Sequence, residues 1–590
     1  GRAATAPGEP AQVGSVEELY LTGAHLVQYR HATRSPEPYW AEALRRDPGH
    51  APTHTALGAA RYADGRLAEA EAHLRAAVTR LTRLNPNPAE GEAHYRLGLT
   101  LARTGRDDEA YAAFAKAAWL RAWYAPASYQ LAVIDARHGR DRAALGRVVD
   151  TLRAEPDHLQ ARDLQVVLLR RLDRRAEADA LLAQTLDLDP LDVWALHLAG
   201  RTEGRRGLLE AQTLLDVALE NVRVGELAAA VALLDLARTA DAERPLGQTA
   251  CGLLADYHAA LALERLGDPV AADEARARAR RGDRTWSFPG RLEDVATLEA
   301  TLDRDPQDAT AAALLGHWLY AHDRGDEAVE HWRRSLAVDP GDAVVWRNLG
   351  VAWFNRQGDP DAARRAYERA LAVAPTDPQL WYESDQLLKR TGTPVAERLG
   401  RLERVRGLVD ERDDLSVELA HLLVGSGRPD EALDLLESRR FQPWEGGEGT
   451  VLRAWERTRL ALSDRSLDEG DPVGAREHAE AALQPPENLG EARHPLANPA
   501  QLLLALGTAA QADGDDRAAR GWWTQAADAS GDFAGMSPQP YSENTWFSVL
   551  AARAVGDLDR AAALTRGLAA YVDQLASTPA GVDYFATSLP

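Results

Sequence analysis

The apolar and polar positions of this chain fall into a repeat. Pro156 and Pro190 stand 34 residues apart, Pro306 and Pro340 again 34 apart, and Pro375 follows after 35. Each closes one predicted helix and precedes the next, as expected where a supersecondary unit recurs at fixed period. No stretch shows sustained apolar–polar alternation bounded by turn residues, so strands are not predicted. No apolar run approaches the ~18 residues that would span a bilayer. The pattern predicts an all-α chain of antiparallel helix pairs.

Within that period one segment carries a fuller signature: Trp346, Leu349, Gly350, Trp353, Ala363, Tyr367, Ala370 and Pro375. This resembles the tetratricopeptide (TPR) pattern, with one extra residue before the second helix. Leu57, Gly58, Gly65, Ala70 and Leu74 repeat its core, as do Leu97, Gly98, Gly105, Ala110 and Phe114. Leu315, Gly316, Ala328 and Pro340 form another unit, and Leu506, Gly507, Gly514, Ala519 and Trp523 a late one. Gly and Ala let the two helices of a pair approach, and the large side chains fill the space between pairs. A single pair cannot bury its apolar face, so units must stack. The resemblance implies a TPR α-solenoid, a right-handed superhelix with a concave inner wall, of roughly 13 to 16 helix pairs.

Composition and charge then narrow the function classes. Acidic residues number 90 against 68 basic ones, a net charge of −22 over 590 residues, which opposes binding to nucleic acid or to an anionic membrane. Only Lys116 and Lys389 are lysines, preceded by Ala115 and Leu388, so the Gly-Lys of a P-loop is absent. The lone cysteine, Cys251, excludes an internal disulfide and a Cys-rich zinc cluster, and a cytoplasmic location is expected. Neither a cofactor nor a metal is predicted. His25 and His31, six apart, do not share a helix face, while His54 and His94 occupy packing positions of their repeats. Cys251 reads as an inert buried thiol in an apolar helix.

Regularity fails in places that suggest boundaries. Residues 1–15 are rich in Gly, Ala and Pro and read as a flexible tail; 16–285 and 286–440 read as two stretches of solenoid, and 441–590 as TPR-like helices with long loops. Gly204, Gly207 and Gly225 fall out of register, and Trp286, Ser287, Phe288 and Pro289 interrupt the helical pattern; both are candidate hinges. Three irregular segments, 441–449, 484–499 and 530–542, carry aromatic and charged residues where plain linkers carry Ser and Gly.

Several of these segments carry a second resemblance. Val16-Glu17-Glu18-Leu19-Tyr20-Leu21-Thr22-Gly23, the run His31 to Trp40, Pro443-Trp444-Glu445-Gly446-Gly447-Glu448-Gly449, Pro486-Glu487-Asn488-Leu489-Gly490-Glu491 and Asp583-Tyr584-Phe585 resemble the C-terminal TPR half of a family of large bacterial proteins. There a domain of galactose-mutarotase-like β-sandwich character precedes the repeats. The likeness covers nearly the whole chain. It implies the helical part of a carbohydrate-processing or carbohydrate-binding protein, with a β-rich carbohydrate domain or another protein as partner and an oligosaccharide as ligand. With no initiator Met, and with an end at Ser588-Leu589-Pro590 inside a motif expected to continue, the chain is expected to be part of a longer one.

The loops hold the candidate ligand-binding residues. Trp444, Glu445 and Glu448 place an aromatic beside carboxylates, the combination that stacks on a sugar ring and bonds its hydroxyls; the alternative is a Trp that plugs a helix crossing. Glu487, Asn488, Arg493 and His494 supply an acid, an amide and two cationic or titratable groups, and alternatively a capped helix start. Asp583 and Tyr584 are further candidates. Trp194, Trp318 and Phe354 are the aromatics that could face the concave wall. Catalytic residues cannot be named, although a glycoside hydrolase with its carboxylates on the 441–499 loops is one reading. A scaffold for an extended peptide is another. Ala59, Leu99 and Val351 occupy the position where a TPR carboxylate clamp has Asn, so that binding mode is not expected.

Overall fold

A computed structural model describes residues 7–31, 34–202, 209–444, 446–534 and 537–578. Among them are 31 α-helices, nearly all in antiparallel pairs such as Ala51–Ala63 with Leu67–Thr82 and Glu92–Arg103 with Asp107–Ala117. The architecture is all-α and of the TPR-solenoid kind. Its described strands are Asp532–Ala534 and Ser537–Gln539, paired antiparallel within the third irregular segment. Two units divide the chain, Gly1–Val345 and Trp346–Pro590.

Helix starts follow local chemistry. Asp268, Asp359, Asp377 and Asp471 each accept hydrogen bonds from backbone N–H groups of the first turn, and each precedes a proline at the first helical position. Carboxylate cap and fixed φ together set the point at which the chain enters the helix. The turn inside a pair needs one left-handed residue: Gly65, Gly105 and Gly139 supply it, and Asp173 and Asp323 adopt the same conformation.

The repeat glycine has a specific partner. A Cβ at Gly58, Gly98, Gly316 or Gly350 would stand 2.5–2.8 Å from the side chain of Leu74, Phe114, Trp332 or Tyr367 respectively. Each large side chain lies 16 or 17 residues on, in the second helix of the pair, and covers the bare backbone of the first. Gly507 under Trp523 and Gly23 under Trp40 repeat the arrangement. Period, Gly and aromatic are therefore one packing device.

Within the Gly1–Val345 unit the chain returns on itself. Arg103 Nη2 meets Glu293 Oε1 at 2.5 Å, across 190 residues of sequence. Trp318 packs on Gly65, and Arg324 Nη1 donates to the Asp64 carbonyl at 3.4 Å. The end of helix Glu92–Arg103 thus meets the start of helix Leu292–Arg304, and the turn after helix Ala51–Ala63 meets helix Ala309–Ala321. Residues 7–13, read as part of a tail, are held by Tyr39, whose hydroxyl donates to the Gly8 carbonyl, and by Arg46, which donates to the Pro10, Ala11 and Val13 carbonyls.

Candidate functional site

In the Trp346–Pro590 unit the structure brings two of the irregular segments side by side. The Phe441 N–H donates to the Asn488 carbonyl at 2.8 Å, and the Gly449 N–H donates to Glu491 Oε1 at 2.8 Å. Asn488 starts no helix as a cap: its amide donates to the Leu436 and Arg439 carbonyls and closes the C-terminal end of helix Pro429–Glu437. Glu491 accepts also from the Leu452 N–H and so caps helix Thr450–Asp468 from the neighbouring loop. Arg493 is paired with Glu456, whose carboxyl burial holds above its ordinary range. His494 stacks on Phe533, ring centroids 3.8 Å apart. Trp444 is half-buried against the core, folded over Gly447 so closely that no Cβ would fit there. Glu448 and Glu487 are exposed. Glu445, Asp583 and Tyr584 lie outside the described residues. Asn488, Glu491 and Arg493 spend their hydrogen bonds on the fold.

The other aromatic and titratable candidates are mostly packed. Trp194 and Trp318 are each 2% exposed, and Phe354 is half-buried, so none is an open stacking platform. His94 is buried, and His54 meets His73, Nδ1 to Nδ1, at 2.9 Å. Cys251 sits just before helix Gly252–Leu266, not inside it; it is buried, and burial pushes its thiol up to about 12.

A cleft in the Gly1–Val345 unit has a volume of about 530 Å3. Helices Leu159–Arg171, Val193–Leu198 and Ala211–Arg223 line it, and Arg291 and Glu293 close it at the start of helix Leu292–Arg304. Its charges are mostly paired. Arg291 Nε donates to Asp216 Oδ1 at 2.5 Å, and Arg223 Nη1 to Glu220 Oε1 at 2.6 Å. Arg223 reaches Gln130 as well, and Tyr129 gives its hydroxyl to Glu220 at 3.3 Å. Burial, with Glu220 beside it, holds the Tyr129 phenol well above its ordinary range.

Two acids of the same cleft form no ion pair among the described residues. Asp192 Oδ1 accepts from the Trp194 and Ala195 N–H groups, capping the short helix. Its other oxygen, with Oδ1 of Asp163, is buried without a donor. Burial, reinforced by the neighbouring Asp192 carboxyl, pushes Asp163 up to about 9. A shared proton is what such a pair needs. In the same cleft, the indole N–H of Trp194 is likewise buried without an acceptor among the described residues. Among the described residues no group of three or more His, Cys, Asp or Glu could hold a metal ion.

Residues 307–376 and 75–126 match models of the tetratricopeptide repeat. The chain carries tetratricopeptide repeats. Over 107 residues it is 36% identical to protein KlcB of Escherichia coli, covering 18% of this chain and 25% of that protein. Over 110 residues it is 24% identical to an N-terminal acetyltransferase A complex subunit-like protein of Schizosaccharomyces pombe, covering 18% of this chain and 16% of that one. The chain thus spans a quarter or less of the length of these curated relatives. The crystal structure of yeast Tom70 aligns over 83% of this chain and 99% of its own, at 14% identity and a TM-score of 0.24. No helix among the described residues is long and apolar enough to cross a membrane.

Proposed function

We propose that this chain is a protein-interaction scaffold whose working surface is the inner wall of the Gly1–Val345 unit. The observation that carries the reading is the 530 Å3 cleft: it is open, lies between helices of successive repeats, and holds a buried indole N–H and a buried carboxyl pair that, beyond one another, have no side-chain partner among the described residues. Buried polar groups are ordinarily paired, and exceptions point to a bound group or a functional constraint. An extended segment of a partner protein fits a wall built from repeats, because each repeat offers one set of contacts along its length.

The test is site-specific photo-crosslinking in the native cells, from Gln160 or Thr213 in the cleft and from Arg175 or Glu177 on helix Arg175–Leu188, which does not line it. A discrete polypeptide captured from the cleft positions and absent from the others is the expected result. Equal capture from both, or none from the cleft, refutes the reading.

A second reading keeps the resemblance to carbohydrate-associated proteins, with a β-rich domain covering the paired loops of the second unit. What favours it is that two interloop hydrogen bonds set Trp444, Glu448 and Glu487 on neighbouring segments, the acids exposed. Glycan-array binding lost in Trp444→Ala would support an oligosaccharide ligand there; no binding by the chain, with or without such a domain, would remove it.

A further inference from the structure

We propose that the cleft seats an arginine or lysine side chain of the partner segment, its cationic head at Asp163 and Asp192 and a neighbouring peptide carbonyl on the Trp194 indole N–H. This rests on the scaffold reading and names the chemistry of what the scaffold receives.

The argument begins with charge. Asp216, Glu220 and Glu293 on the cleft wall are answered by Arg291, Arg223 and Arg103. Asp163 and Asp192 form no ion pair among the described residues. That sets Asp163, 1% exposed, apart from buried aspartates elsewhere in the helical part of the chain. Asp135 has Arg140, Asp256 has Arg278, Asp308 has Arg280 and Asp385 has Arg398. Where this fold buries an acid in or at the start of a helix it supplies an arginine, and at Asp163 no such cation stands among the described residues beside the open cleft. A buried carboxyl pair without a cation is costly, and a guest cation that replaces the shared proton removes the cost.

Trp194 is an independent sign. Its N–H is a donor, so it cannot serve a cation; it calls for an acceptor. Standing two residues from Asp192, it fits a ligand that carries a positive head and a carbonyl close together, which a basic residue within a peptide does. A guanidinium suits the site best, because its fork can address two carboxyls at once. A divalent metal fits poorly, since two carboxyls and an indole donor do not make a ligand set. The net charge of −22 draws basic segments to the chain.

Capped nine-residue peptides of Gly, Ser, Ala and Leu, each with Arg, Lys, citrulline or Glu at the centre, provide the probe on an array read with the full chain. Arg and Lys peptides are expected to bind about tenfold or more above citrulline. The preference should vanish in Asp163→Asn and weaken in Trp194→Phe, both conservative in shape, and persist in Asp235→Asn, which does not line the cleft. Equal binding of Arg and citrulline peptides, or a preference unmoved by Asp163→Asn, overturns the proposal. Free arginine should compete poorly; competition as strong as the peptide's overturns the peptide part. A partner still crosslinked from Gln160 with undiminished yield in Asp163→Asn also overturns the cation, leaving the scaffold standing, whereas loss of all cleft crosslinks in the unaltered chain removes the scaffold itself.

Discussion

Asp163→Asn gives the sharpest stability prediction, because the sign and size of its effect follow from one titration. In the folded chain Asp163 holds its proton up to about 9, through burial first and the Asp192 carboxyl second, against an ordinary value of 3.8. The unfolded chain releases that proton near 3.8, so between the two values the folded state binds one proton more. Stability from this group is therefore complete below about pH 4 and is lost progressively as pH rises to about 9. The slope is about 1.4 kcal/mol per pH unit, hence up to about 4 kcal/mol between about pH 5 and about pH 8. Asparagine does not titrate and can donate to Asp192 from its amide. Urea melts of both proteins at several pH values, with hydrogen exchange of the amides in helix Leu159–Arg171, read the difference. The variant is expected to gain on the unaltered chain steadily as pH rises. Two stability curves running parallel across that range would refute the reasoning, because no extra proton would then be bound at Asp163.

Four further substitutions probe the fold. Gly316→Ala drives a methyl into Trp332, whose ring atoms lie 2.5 Å from the added carbon, and should cost about 1–3 kcal/mol in thermal melts, while Gly146→Ala, with open space on its helix, should gain up to about 1 kcal/mol. Equal effects would deny the packing role of the repeat glycine. Arg398→Met leaves Asp385 and Glu418 buried without their guanidinium and is expected to cost about 3–5 kcal/mol; a loss under about 1 kcal/mol by chemical denaturation contradicts the network as drawn. Glu491→Gln weakens the cap on helix Thr450–Asp468, and faster hydrogen exchange at Gly449 and Leu452, with about 1 kcal/mol of lost stability, should report it.

The fold was readable because its packing device is local. Gly98 and Phe114, or Gly316 and Trp332, lie within one repeat, and the 34-residue period shows them in register. The closure of the first unit was not readable: Arg103 and Glu293 are ordinary exposed-helix residues in sequence, and only the summed rotation of the intervening repeats brings them together. The cleft was missed for the same reason. Asp192 reads as an N-cap after Pro190, which it is, and nothing local places it against Asp163. A usable signal was present, since Asp163 interrupts the apolar face of Leu159–Arg171 where a buried acid needs a partner. In the second unit, composition drew attention to loops whose polar residues mainly tie helix ends: Asn488 and Glu491 are conspicuous in sequence because loops must satisfy exposed backbone groups.

The scaffold's location can be decided by hydrogen exchange on the full chain, alone and saturated with the partner segment identified by crosslinking. Protection confined to helices Leu159–Arg171, Val193–Leu198 and Ala211–Arg223 is the predicted outcome. Protection centred on residues 441–499, with those helices unchanged, would contradict it and move the binding surface to the second unit.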